Sequence, residues 1–205
     1  MKTERPRSNQ ELRTRKDLMQ AASRLLKQGR KPVMEEVAAE AMVSRATAYR
    51  HFKNVESLIA EAPVDAAVSG IDTVFANNGS VDPEERVDAA EAAMHEVCYQ
   101  NEAQLRIMLA NTVSRDLSDD LTPPRQNRRI PLIEAALAPA RSRFRKADYD
   151  RLCLALALIF GTESMIVFRD VLRLDAATAR RVKSWAVRAL VRDALESSGK
   201  SARTK

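Results

Sequence analysis

One short stretch concentrates side chains suited to a polyanion. Ser44, Arg45, Ala46, Thr47, Tyr49, Arg50 and His51 lie together, and Lys53 follows two residues on. Ser44 is a good helix N-cap. Apart from Arg45, the residues at the start of this segment are small, so a helix built from it can seat deeply in a groove. The Arg45 guanidinium is a planar donor fork that matches guanine O6 and N7; a phosphate is the equal alternative. Thr47, Tyr49 and His51 carry donors suited to phosphate oxygens. The bland alternative for Tyr49 is a ring packed into a core.

Other chemistry is thin. There is no glycine-rich phosphate loop and no nucleophile elbow, and the chain has only two histidines. No catalytic residue and no cofactor is therefore assigned, and an enzyme is the disfavoured rival. Glu91, His95 and Cys98 share one helix face at a spacing that can present metal ligands. The pattern is short and common, so no metal ligand is assigned. Cys98 and Cys153 are too few for a disulfide framework and fit a reducing compartment. Glu163 interrupts an apolar helix and needs a partner: a cationic or hydroxylated ligand, or an arginine of a second subunit. Arg125, Arg128 and Arg129 form either an anion-facing cluster or a solvated loop.

The elements that must position these residues are helical throughout. The chain has 205 residues, 45% hydrophobic and 30% charged, with only nine aromatics, which argues against a sandwich or barrel. Apolar spacing predicts a helix over 11–28, stopped by Gly29. Pro32 suits the first turn of a second helix whose inner face is Met34, Val37, Ala38 and Ala41. A third helix runs over 45–51 and a fourth starts behind Asn54, kinked or interrupted at Pro63. Further helices are expected over 83–100, 102–115, 128–138, 147–172 and 176–196. A loop is expected over 118–124, and an exposed basic linker over 141–146. The longest apolar run, 152–161, is about half a bilayer span. With a polar start and no apolar leader, a cytoplasmic protein is expected, with no membrane partner.

Charge is uneven. Residues 1–60 hold 13 Lys/Arg against 7 Asp/Glu, and the remaining residues hold 21 of each, so the net +6 lies in the first 60. A basic head on a neutral body suits nucleic acid first and an anionic membrane second; a merely solvated N-terminus is the plain alternative. Helices two and three, joined by a tight turn, make a helix-turn-helix, a motif that places its last helix in the DNA major groove. Arg13, Arg15 and Lys16 suit the DNA backbone, and so do the free N–H groups opening helix four.

The stretch Val37, Ala38, Glu40, Ala41, Met42, Val43, Ser44, Arg45, Ala46, Thr47, Ala48, Tyr49, Arg50, His51, Phe52, followed by Glu56 and Leu58, resembles the DNA-binding domain of TetR/AcrR-family transcriptional regulators. The specific core is Thr-x-Tyr-x-His-Phe, and the close match covers about 12–62. The resemblance implies a homodimeric, usually repressing, all-helical regulator. Its body would bind a small molecule and its last two helices would form the dimer interface. Three positions depart from the family pattern. Met42 stands where glycine is usual in the turn, Val55 where lysine is usual, with Lys53 nearby as a substitute, and Lys31-Pro32-Val33 where a threonine cap is usual.

The expected fold class is all-α, an N-terminal three-helix helix-turn-helix domain plus a C-terminal helical bundle for ligand binding and dimerisation. The expected divisions are a flexible basic arm 1–10, the DNA-binding domain 11–60, the body 61–196 and a flexible tail 197–205. Candidate ligand contacts are Phe75, Met94, Cys98, Leu105, Met108, Phe160, Glu163 and Met165, each with plain core as its alternative. Candidate dimer contacts are Val182, Trp185, Ala186, Ala189 and Leu190, whose alternative is closure of the monomer's own core. The expected partners are double-stranded DNA with a palindromic operator, a second copy of the chain, and an unknown small molecule. A constitutive DNA-binding protein without inducer is the alternative function.

Overall fold

The structure, a computed structural model, describes residues 9–68, 74–75, 79–114 and 127–202. Among these it is helical, with no strand. The helices are α1 (Asn9–Leu26), α2 (Met34–Glu40), α3 (Arg45–His51), α4 (Val55–Val68), α5 (Pro83–Gln100), α6 (Glu102–Val113), α7 (Arg129–Leu137), α8 (Lys146–Ile159), α9 (Thr162–Ile166) and α10 (Ala176–Ala202). A 3-10 turn over Ala138–Arg143 follows α7, and a π-helical turn over Val167–Val171 follows α9. The expected loop at 118–124, and most of the basic arm, lie outside the described residues.

The chain divides into two units, one of residues 1–67 with 101–126, the other of 68–100 with 127–205. The expected boundary near 60 assigned 102–115 to the body; the structure packs α6 with the head. Apolar periodicity tells which face of a helix is buried but not against what, and here Ser23 Oγ donates to Gln104 Oε1 at 3.0 Å, tying α1 to α6.

In the head, Leu18, Ala22, Leu26, Val37, Ala48 and Leu58 are buried and hold α1 to α4 together. α2 begins at Met34 behind Val33, so Pro32 precedes the helix rather than opening it. Valine has no side-chain acceptor, and the cap is supplied from the other side: the Val33 N–H donates to Glu36 Oε2 at 3.0 Å. That bond, with Arg30 beside it, holds the Glu36 carboxyl below its usual range. α3 starts where Ser44 Oγ accepts from the Thr47 N–H at 3.1 Å. α4 starts where Asn54 Oδ1 accepts from the Ser57 N–H at 2.8 Å. Contrary to the expected kink, the α4 backbone stays helical through Pro63.

The body centres on Val87, Ile133, Leu137, Leu156, Phe160 and Val187, all fully buried. Arg86 reaches across from α5 and caps the end of α7, donating to the carbonyls of Ala136 at 2.8 Å and Ala135 at 3.0 Å. The expected single helix over 147–172 is instead broken. Phe160 is extended, Gly161 has φ 99° and ψ −161°, and the two arms are bent by 45°. An L side chain scarcely visits that backbone region. A Cβ on Gly161 would also lie 2.8 Å from Arg129 Nε. The basic run 141–146 is no open linker: Phe144 is buried, and the Arg141 guanidinium lies 4.0 Å from the Tyr149 ring centroid. α10 also outruns its expected end at 196. Ser198 is buried, donates to Asp148 Oδ2 at 2.9 Å and accepts from the Arg145 N–H at 3.1 Å, which ties down the segment expected to be a tail. No single helix among the described residues is long and apolar enough to cross a membrane.

Candidate nucleic-acid interface

α2 and α3 pack through Val37, Ala38 and Ala48, so Arg45, Ala46, Tyr49 and Arg50 face solvent. Arg45 and Tyr49 are one turn apart, with the guanidinium carbon 5.5 Å from the ring centroid. Tyr49 is thus outside the core, contrary to its bland reading. Arg45 Nε lies 2.8 Å from Glu35 Oε1. Both side chains are well exposed, and such pairs contribute only about 0–1 kcal/mol. A phosphate or a guanine edge can therefore take the guanidinium at little cost. Thr47 is half-buried and its hydroxyl is shared between Ser44 Oγ at 2.9 Å and Arg50 Nη2 at 3.1 Å. Lys53 is exposed just beyond the helix.

Met42 resolves the first departure from the family pattern. The turn keeps a left-handed residue, φ 55°, with methionine in the place of glycine. The side chain does not pack inward; it is 92% exposed. Of the residues expected along a DNA backbone, Arg15 is committed elsewhere. Its Nη1 donates to the His51 carbonyl at 2.9 Å, its Nη2 pairs with Glu61 Oε2 at 2.5 Å, and its guanidinium lies 4.1 Å from the Phe52 ring centroid. Arg15 is a clamp across α1, α3 and α4, because a guanidinium stacked on a buried ring and paired with a carboxylate has little left for solvent.

The body's candidate residues do not converge. Leu105 and Met108 are buried in the head unit. In the body, Phe160, Met165 and Cys98 are solid core, and burial pushes the Cys98 thiol up to about 11. Met94 and Phe75 pack against that core, Phe75 with the Arg86 guanidinium 4.4 Å from its centroid. Glu163 lines a cavity of about 270 Å³ between α8, α9, the π turn and α10. It is only half-buried and pairs with Arg129 of its own chain. Arg129 also donates to the Ala157 carbonyl at 3.2 Å, so it is no solvated loop residue.

The face of α10 expected to meet a partner is outward. Trp185 is 71% exposed and Val182 is exposed beside it, while Leu190 turns in against the core. On α8, Leu158 is 78% exposed and Leu154 is exposed too. The buried face of α10 is Ala179, Lys183, Val187, Val191 and Ala194. It carries a charge network that sequence reasoning missed. Asp88 Oδ2 pairs with Arg188 Nη2 at 2.7 Å and its other oxygen with Arg180. Glu91 lies 3.2 Å from both Arg180 Nη1 and Lys183 Nζ. The available signal was a lysine at the four-residue spacing of an alanine and valine stripe.

The fold and the exposed third helix define a helix-turn-helix DNA-binding head. Residues 18–62 match the family described as bacterial regulatory proteins, tetR family. Through that head the chain is similar to this family of DNA-binding transcriptional regulators; the match does not extend to the body. No curated protein matches the chain.

Proposed function

We propose that the chain is a dimeric repressor released from a palindromic operator by a small molecule. Ser44, Arg45, Ala46, Thr47, Tyr49, Arg50, His51 and Lys53 meet the DNA, with Arg45 reading a base edge and Tyr49 and Lys53 holding phosphates. The single observation that carries this is the outward, weakly tied Arg45–Tyr49 pair on α3. Two copies associate through Leu154 and Leu158 of α8 and Val182, Trp185, Ala186 and Ala189 of α10. Leaving so broad an apolar face in water costs about 25 cal/mol per Å². A two-fold dimer matches the symmetry of a palindrome. A ligand releases DNA only by binding one dimer geometry better than the other. The solid packing of Phe160, Met165 and Cys98 favours a second reading, a constitutive binder without inducer.

The test is selection of genomic fragments by the purified protein, followed by footprinting. A symmetric footprint whose affinity falls linearly on a log–log salt plot is expected. An asymmetric footprint contradicts the dimeric reading, and a flat salt response contradicts phosphate contacts.

A further inference from the structure

The cations on and just after α3 differ in what sits beside them. Arg50 Nη2 donates to the neutral Thr47 hydroxyl at 3.1 Å, and Lys53 is exposed past the helix end. Among the described residues no carboxylate pairs with either. Arg45 is the exception. Its Nε lies 2.8 Å from Oε1 of Glu35, an acid in the first turn of α2. The neighbouring acid, Glu36, is spent on its own helix: it accepts from the Val33 N–H at 3.0 Å and from Arg30 Nη1 at 2.8 Å. Glu35 reaches the other way, across to α3. The pair is open, its side chains 67% and 48% exposed, and so contributes little to the fold.

A negative charge beside the first cation of the DNA-facing helix opposes a polyanion. In water, a carboxylate and a phosphate about 6 Å apart repel by an amount worth about threefold in affinity. A guanine edge carries no net charge and meets no such repulsion. It also needs only two donors. With Nε beside Glu35, the terminal Nη1 and Nη2 remain as the fork that matches O6 and N7. The Tyr49 ring centroid, 5.5 Å from the guanidinium carbon, flanks the same group. A swing of Arg45 to a backbone phosphate gives up the carboxylate, whereas a guanine can be met with Glu35 still in place.

We propose that Glu35 is a specificity-determining positioning residue, which sits against Arg45 Nε and by its charge turns the guanidinium from phosphate to a guanine edge. Glu35 touches no base itself and acts through Arg45. The inference rests on the reading of Arg45 as a base contact.

The test uses the intact protein, a selected operator fragment with each G·C pair replaced in turn by A·T, and a scrambled duplex of the same length. Arg45→Ala identifies the position that Arg45 reads, where a penalty of about tenfold to a hundredfold is expected to vanish. Glu35→Gln keeps the shape and removes the charge. It is expected to lower the ratio of operator to scrambled affinity about threefold. The penalty at the Arg45 position is expected to shrink by about the same factor, because Arg45 facing a wrong base can then turn to a phosphate. An ordinary surface charge shifts operator and scrambled duplex alike and leaves the ratio unmoved. Glu36→Gln is expected to behave in that way, and so is Glu35→Gln in the Arg45→Ala background. An unchanged ratio in Glu35→Gln, an equal fall in Glu36→Gln, or a fall that persists without Arg45 overturns the proposal. If Arg45→Ala removes discrimination at one position and Glu35→Gln leaves it whole, the base contact of Arg45 stands and the role of Glu35 falls. If Arg45→Ala changes no position, the reading of Arg45 falls and the role of Glu35 with it.

Discussion

The head and the body both carry arginines paired with carboxylates, and they use them in opposite ways. On α3, Arg45 meets Glu35 in the open, where water screens the pair and a competing anion displaces it. Between α5 and α10, Lys183 meets Glu91 out of contact with solvent, with the partly exposed Arg180 beside them. There each charge depends on its partner, because removing one leaves the other desolvated and alone. The same residue types thus give a surface that can exchange partners and an interior that cannot. The first suits a polyanion, and the second fixes how two helices pack.

The strongest test of this contrast is to remove one buried charge. Glu91→Ala strands Lys183 and is expected to cost about 3–5 kcal/mol in denaturant unfolding. The corresponding change in the head, Glu35→Ala, is expected to cost less than about 1 kcal/mol. Equal costs would erase the distinction. Next is the break that shapes the cavity. Gly161→Ala forces alanine into a glycine-only backbone region and is expected to cost about 1–3 kcal/mol. The Arg129 side chain must also move, which the chemical shift of its Nε reports.

The body network predicts a pH response as well. The unfolded chain takes up a proton on His95 near 6.5, whereas the folded chain does so only near 4. Between those values the unfolded state holds more protons, so stability falls as pH falls through that window. His95→Gln is expected to flatten that part of the curve when unfolding is followed from pH 7 to pH 4; an unchanged slope would place the imidazole in water. The smallest effect is expected in the head. Met42→Gly relieves a left-handed methionine but frees the unfolded chain, two terms of about 1 kcal/mol that largely offset. A net gain of about 0.5 kcal/mol is expected in thermal unfolding, and a loss would mean that the exposed methionine makes a contact worth keeping.

Local signals were legible in the sequence where one residue decides the outcome. The Ser44 cap sets the start of α3 at Arg45, and Pro83 sets the start of α5. Legibility failed where the outcome depends on partners distant in sequence. The apolar run through Phe160 and Gly161 reads as continuous helix, because an isolated glycine is tolerated there and nothing local records the approach of Arg129. On α10 the stripe from Val182 to Leu190 reads as a face for a partner, but nothing in it records the inner stripe that holds Lys183, whose burial makes sense only once Glu91 is brought against it. In the head, Arg15 reads as a surface cation until Phe52 and Glu61 converge on it. The motif around Tyr49 names candidate DNA contacts, but only the packed helices show which of those side chains point outward.

The most direct test of the central claim is the affinity of Arg45→Ala for a selected operator fragment, measured beside the unfolding midpoint of the same preparation. Loss of one base contact worth about 1–3 kcal/mol is expected to weaken binding roughly tenfold to a hundredfold while the midpoint stays unchanged. Unchanged affinity would contradict the assignment of the outward face of α3 as the surface that reads DNA.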